Sequence, residues 1–92
     1  MTDMIYSDVF DALADTPAEA ENLKTRADLM ARIQVIIKAK GWKQAEAAAQ
    51  CGLTQPRVND LLRGRISRFS LDALVNIASA LGQRVYLELK AA

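Results

Sequence analysis

Covalent, acid–base and metal chemistry have few residues to use in this chain. Among its 92 residues there is no histidine and only one cysteine, Cys51. The absence of histidine excludes a histidine-ligated metal site and every mechanism that needs a histidine base. Cys51 is expected to be a small buried residue, with a redox switch as the alternative. No carboxylates pair on one predicted helix face either, so the sequence predicts a protein that is not an enzyme and holds no metal or cofactor.

Basic and acidic residues are divided unequally along the chain. Residues 1–23 carry six acidic residues and no lysine or arginine, whereas residues 24–92 carry all 12 basic residues against five acidic ones. The net charge of +7 on the larger segment favours contact with nucleic acid, and the acidic arm suggests a separate role. Chance clustering of solvated charges is the alternative.

The overall composition is typical of one globular domain in the cytoplasm. Hydrophobic residues make up 51% of the chain and charged residues 25%. No apolar run is long enough for a bilayer, and no basic segment leads into an apolar stretch near the start, so neither a membrane span nor a signal peptide is expected. A single cysteine cannot form an internal disulfide, which fits a reducing compartment.

Caps and hydrophobic spacing predict four helices and hence a mainly α fold. In the first, Thr16 is the N-cap, Pro17 follows it, and Glu19 completes a capping box. Apolar residues then recur every three or four positions as far as Lys40. Further caps and glycines bound the other helices at about 43–51, 54–63 and 70–81. An apolar turn within the acidic arm, residues 1–15, would add a fifth helix.

The end of the chain changes to the period of a β-strand. Val85, Leu87 and Leu89 alternate with polar or amphipathic residues, which predicts a strand at 84–90 with one buried face. A lone strand leaves its backbone N–H and C=O groups unpaired. Its partner is either the segment near Met4–Tyr6 or the same strand of a second subunit. The second is favoured because a two-fold pairing would also build a dimer.

Small and apolar residues at about 44–63 are spaced as in two short helices that cross over a tight turn. Ala48 is small enough for the close contact between the helices, and Gly52 tolerates a positive φ at the turn. Val58 and Leu61 would pin the second helix to the core. The pattern predicts a helix-turn-helix within one domain, residues 16–92.

Three stretches carry a resemblance to a known family. Gly41–Ala48, Gly52–Val58 and Leu62–Arg65 resemble the Cro/C1-type (XRE) family, whose fold is lambda-repressor-like. The match extends over residues 31–81. More narrowly, Leu61–Arg65, Phe69–Leu71 and the arm resemble HigA-like antitoxins of type II toxin–antitoxin systems.

The family resemblance implies that the helix beginning at Thr54 enters the major groove of double-stranded DNA. The residues implied to read bases are Gln55, Pro56, Arg57, Asn59 and Asp60. Gln55 is the best of these, because its amide can donate to and accept from adenine. The residues implied to bind phosphate are Lys43, Gln44, Thr54, Arg63, Arg65, Ser67 and Arg68. For Gln55 and the basic turn, plain solvation is the alternative.

The resulting hypothesis is a homodimeric repressor that binds an inverted-repeat operator. The narrower resemblance adds an antitoxin that regulates its own operon, with Val9, Phe10 and Leu13 of the arm binding a RelE/HigB-like toxin. Those three residues could instead cover the core of their own domain. The alternative function is a helical protein-interaction module that neutralises a partner without specific DNA binding, which Lys43 and Pro56 keep open because both depart from the family pattern.

Overall fold

The computed structural model of the protein describes residues 15–91 and consists of four α-helices. They are α1 (Pro17–Lys40), α2 (Gln44–Cys51), α3 (Gln55–Leu62) and α4 (Leu71–Ala80), with one 3₁₀ turn (Ile66–Arg68) between α3 and α4. The four helices predicted from the sequence are therefore confirmed. Across residues 15–91, no helix is both long and apolar enough to cross a membrane.

Local capping determines where α1 begins and ends. The Thr16 hydroxyl accepts a hydrogen bond from the backbone N–H of Glu19 at 3.1 Å, and Pro17 occupies the first turn. The Glu19 carboxylate accepts from the N–H of Asp15 at 2.9 Å, one residue before the expected partner. At the other end Gly41 adopts a left-handed conformation, φ 67°, and its N–H bonds to the carbonyl of Lys38. These contacts satisfy backbone groups that a helix end leaves free.

The core is formed where all four helices meet. Its buried residues are Met30, Ile33 and Ile37 of α1, Ala47, Ala48 and Cys51 of α2, Val58 and Leu61 of α3, Phe69, and Leu74, Ile77 and Ala78 of α4. The buried residues of α2 are small, so that α3 can cross it closely. α1 and α4 pack against each other and support this pair from behind.

Two side chains of α1 hold the segment around α3 by its backbone. Gln34 Nε2 donates to the carbonyl of Leu61 at 2.8 Å, and Arg26 Nη1 donates to the carbonyl of Phe69 at 3.0 Å. The Arg26 guanidinium is itself held by Asn22 Oδ1 at 2.6 Å. The long first helix therefore determines where α3 ends and where the following turn lies.

The predicted strand at 84–90 is not supported in the single chain. Among residues 15–91 no strand forms, since no second segment pairs with the end of the chain. Val85 packs against the core, but Leu87 is 86% exposed and Leu89 98% exposed, so the expected buried face is present at one position only. A strand requires a hydrogen-bonded neighbour, and one isolated chain does not supply it.

Several predictions fall on the N-terminal part of the chain. The described residues begin at Asp15, so the acidic arm, its apolar turn with Val9, Phe10 and Leu13, and the alternative strand partner near Met4–Tyr6 lie outside them.

Candidate nucleic-acid interface

The turn between α2 and α3 determines how α3 is presented. Gly52 has φ 67°, which lets the N–H of Leu53 bond to the carbonyl of Ala48 at 2.9 Å and ends α2 sharply. Two residues later the Thr54 hydroxyl accepts from the N–H of Arg57 at 3.3 Å and caps α3. Val58 and Leu61 are fully buried and fix the inner face of α3.

The outer side of α3 carries amide groups. Gln55 is exposed and Asn59 is half-buried, and their spacing of four residues places them on one stripe of the helix. The exposed Arg63 continues this stripe, and the exposed Pro56 lies beside it. Glutamine and asparagine amides can each donate to and accept from an adenine edge, so the stripe has the chemistry of a base-reading surface.

Arg57, predicted to read bases, is instead engaged within the protein. Its Nη1 donates to the carbonyl of Arg68 at 2.7 Å, and its guanidinium lies 4.1 Å from the centre of the Phe69 ring. Both contacts connect the first turn of α3 to the segment that follows the helix. In this position Arg57 braces α3, that is, it connects the helix to Arg68 and Phe69 of the following segment. It would have to leave both partners to reach a base.

Asp60, also predicted to read bases, is buried and paired with two arginines, so its predicted role is not the one its contacts favour. The residue is 7% exposed, and its carboxylate accepts from Nη1 of Arg65 at 3.1 Å and from Nη1 of Arg68 at 3.2 Å. A carboxylate that is covered and paired through both oxygens would have to move away from these arginines to accept from a cytosine amino group. The signal for this pairing was the pair of arginines five and eight residues later, in a turn that folds back over α3.

The residues predicted to bind phosphate are all exposed. They are Lys43, Gln44, Thr54, Arg63, Arg65, Ser67 and Arg68. They fall into two groups, one at the start of α2 and α3 and one after α3. Within the described chain the Lys43 side chain accepts no capping bond, and Glu46 Oε1 accepts from the Lys43 backbone N–H at 3.4 Å instead. The exposed Lys43 side chain therefore takes no part in capping α2.

The basic turn after α3 is held by its backbone as well as by Asp60. The N–H of Arg65 bonds to the carbonyl of Asp60 at 3.0 Å, and that of Arg68 bonds to the carbonyl of Arg65 at 3.0 Å. Arg26 of α1 holds the far side of the turn through the Phe69 carbonyl. Sequence reasoning missed Arg26, because it lies 43 residues away from Phe69 and no local pattern joins the two.

Cys51 offers no reactive thiolate at this interface. Its side chain is 4% exposed in the core, and burial raises the pKa of its thiol. The thiol therefore stays protonated at neutral pH, as expected for a small buried residue.

Two short helices joined by a tight turn, with an exposed and capped second helix, define a helix-turn-helix domain. A family model described as a helix-turn-helix domain matches residues 12–90. A solved structure described as an XRE family transcriptional regulator is similar, with a TM-score of 0.74 and 30% sequence identity over 80% of this chain and 83% of that chain. No curated protein matches the sequence. The chain belongs to the XRE-type helix-turn-helix family.

Proposed function

We propose that the protein is a sequence-specific transcriptional repressor that places α3 in the major groove of operator DNA. The observation that carries this proposal is the amide stripe of the exposed Gln55 and the half-buried Asn59, with exposed cationic groups before α2 and after α3. Lys43 precedes α2, and Arg65 and Arg68 follow α3. Cations on either side of a recognition helix bind phosphates and fix its register, while the amides in between read bases.

We further propose that the repressor is a homodimer joined through its C-terminal segment. One eight-residue helix reads only a few base pairs, and an inverted repeat lets two copies read twice as many. Tyr86, Leu87 and Leu89 are 80%, 86% and 98% exposed, directly after Val85, which packs on the core. Antiparallel pairing with the same segment of a second copy would satisfy their backbone groups as a strand and reduce the exposure of these side chains.

The finer role is that of an antitoxin in a toxin–antitoxin pair that regulates its own operon. Its support is the resemblance of Leu61–Arg65 and Phe69–Leu71 to HigA-like proteins and the acidic composition of residues 1–15. An acidic arm with Val9, Phe10 and Leu13 suits a small basic RelE/HigB-like enzyme. Co-expression with the product of a neighbouring small basic gene tests this role, because deletion of residues 1–13 should release that product while leaving DNA binding intact.

The test of the DNA-binding proposal is an anisotropy titration with the duplex upstream of the protein's own gene. Gln55→Ala should weaken operator binding roughly tenfold or more, since a bidentate amide–adenine pair discriminates by about 1–3 kcal/mol. Gln50→Ala is the matched control, because Gln50 is an exposed glutamine of α2 outside the stripe. Wild-type protein that binds this duplex no better than a scrambled one would refute the proposal and favour the helical interaction module.

A further inference from the structure

Asp60 combines burial with charge in a way that the proposed function does not explain. At 7% exposure it is the buried charged residue of the part of the chain that the structure describes. Its carboxylate is covered by two arginines. The side chain of Arg65 remains 41% exposed and that of Arg68 56% exposed. Each guanidinium uses only Nη1 on Asp60 and so keeps most of its five N–H donors for another partner.

We propose that Asp60 is a positioning residue for DNA binding, which holds Arg65 and Arg68 in the orientation that binds the phosphate backbone. This inference rests on the proposed function. A free arginine loses side-chain entropy when it binds phosphate, and an arginine already held by a carboxylate has lost much of it before DNA arrives. Charge-assisted hydrogen bonds to a buried carboxylate are directional enough to select one orientation.

The surrounding contacts separate this role from that of shaping the turn. The backbone of the turn is held independently of the Asp60 carboxylate, by Arg26 on the Phe69 carbonyl at 3.0 Å and by Arg57 on the Arg68 carbonyl at 2.7 Å. The bond between Asp60 and the N–H of Arg65 uses the main-chain carbonyl. Asp60→Asn therefore leaves the path of the turn in place and changes what the two guanidinium groups bind.

A pure charge effect and a positioning effect predict opposite changes in operator affinity for Asp60→Asn. Asp60→Asn raises the net charge by one, and Coulomb attraction alone would then strengthen binding to any duplex. If Asp60 positions the arginines, its loss weakens binding to the operator, where fixed contacts matter, and leaves binding to a scrambled duplex equal or tighter. A fall in the ratio of the two affinities is the signature of positioning.

The experiment measures Kd of wild type, Asp60→Asn and Asp28→Asn for the operator and for a scrambled duplex at two salt concentrations. Asp28 is the matched control, because it also pairs with an arginine, Arg32 at 3.1 Å, but on the exposed surface of α1. Asp60→Asn should bind the operator about tenfold more weakly, the scale set by immobilising rotamer-rich side chains. Asp28→Asn should bind both duplexes as wild type does, or slightly more tightly.

A second set of variants excludes a purely structural effect. Titrations are run below the melting temperature of every variant, and stoichiometric titration gives the active fraction. In the Arg65→Ala/Arg68→Ala background the additional change Asp60→Asn should have no further effect on operator binding. Two results would overturn the inference. One is an operator affinity of Asp60→Asn equal to or above that of wild type. The other is a fall in operator affinity on adding Asp60→Asn to the Arg65→Ala/Arg68→Ala variant as large as the fall in the wild-type background. Wild type that fails to distinguish the two duplexes would overturn the proposed function itself.

Discussion

Replacing Arg57 by alanine separates its two possible roles, because bracing and base reading give different results. The guanidinium lies 4.1 Å from the Phe69 ring centre and donates to the Arg68 carbonyl at 2.7 Å. A cation–π contact is worth about 0.5–1 kcal/mol near a surface, and a hydrogen bond from a charged group about 1.5–3 kcal/mol. Because Arg57 is only half-buried, solvent recovers part of this, and we expect Arg57→Ala to lower the free energy of unfolding by about 1–2 kcal/mol.

Urea denaturation followed by circular dichroism measures this change, and thermal melting provides a second reading. For a domain of this size the expected fall in Tm is about 4–15 °C. Gln55→Ala is the comparison, because its exposed side chain makes no contact that holds the fold together in the described structure and its stability should stay within about 0.5 kcal/mol of wild type. An Arg57→Ala variant as stable as wild type that has lost operator binding would show that Arg57 reads DNA and that the brace is unimportant.

Two further predictions concern the C-terminal segment and the core. Leu87→Asp should convert a dimer into a monomer in analytical ultracentrifugation, since burying a leucine is worth about 1.5–3 kcal/mol in each subunit. Val35→Asp, an equally polar change at a 66% exposed site on α1, should leave the assembly unchanged, and a dimeric Leu87→Asp variant would rule out this interface. Cys51 should resist alkylation at pH 7 until the protein unfolds, because burial raises its thiol pKa. The stability that accompanies this shift is complete below the ordinary thiol pKa and is lost as pH rises through the folded-state value. Rapid labelling of native protein would contradict the burial.

The helices were predictable because their signals are local. Thr16, Thr54 and Ser70 each cap a helix through a hydroxyl, and the bond spans only three residues. Gly41 and Gly52 end helices through their own left-handed conformation. Such features can be recognised in any window of a few residues, which is why the predicted bounds differ from the structure by at most one position.

The burial of Asp60 could not be predicted from such local signals. It lies about 200° around α3 from the buried Val58, at 100° per residue, so the helix considered alone leaves its carboxylate in solvent. Burial comes from the turn that carries Arg65 and Arg68, which folds back over α3. The residue type and its position on the helix do not predict this burial, because the position of the turn depends on contacts with α1.

The predicted C-terminal strand is absent from the described single chain for a related reason. The alternation at Val85, Leu87 and Leu89 correctly identified residues that favour a half-buried pleated segment. The alternation does not show which segment or surface the strand would pack against. In the single chain only Val85 packs against such a surface, the core. Periodicity reports what a segment could bury, whereas burial itself depends on a second surface.

The charges of α3 connect the amide stripe of that helix to the basic turn that follows it. Both charged side chains within the helix, Arg57 and Asp60, turn toward the segment that follows it and hold Arg68 by its carbonyl and its guanidinium respectively. The helix that presents Gln55 and Asn59 thus also holds the basic turn, together with Arg26 of α1. Under the proposed function, phosphate contacts made by Arg68 would therefore lie at a fixed distance from the amide stripe of Gln55 and Asn59. A rigid spacing of this kind would let the proposed contacts with the DNA backbone select one register of α3 in the groove, and so contribute to specificity without touching a base.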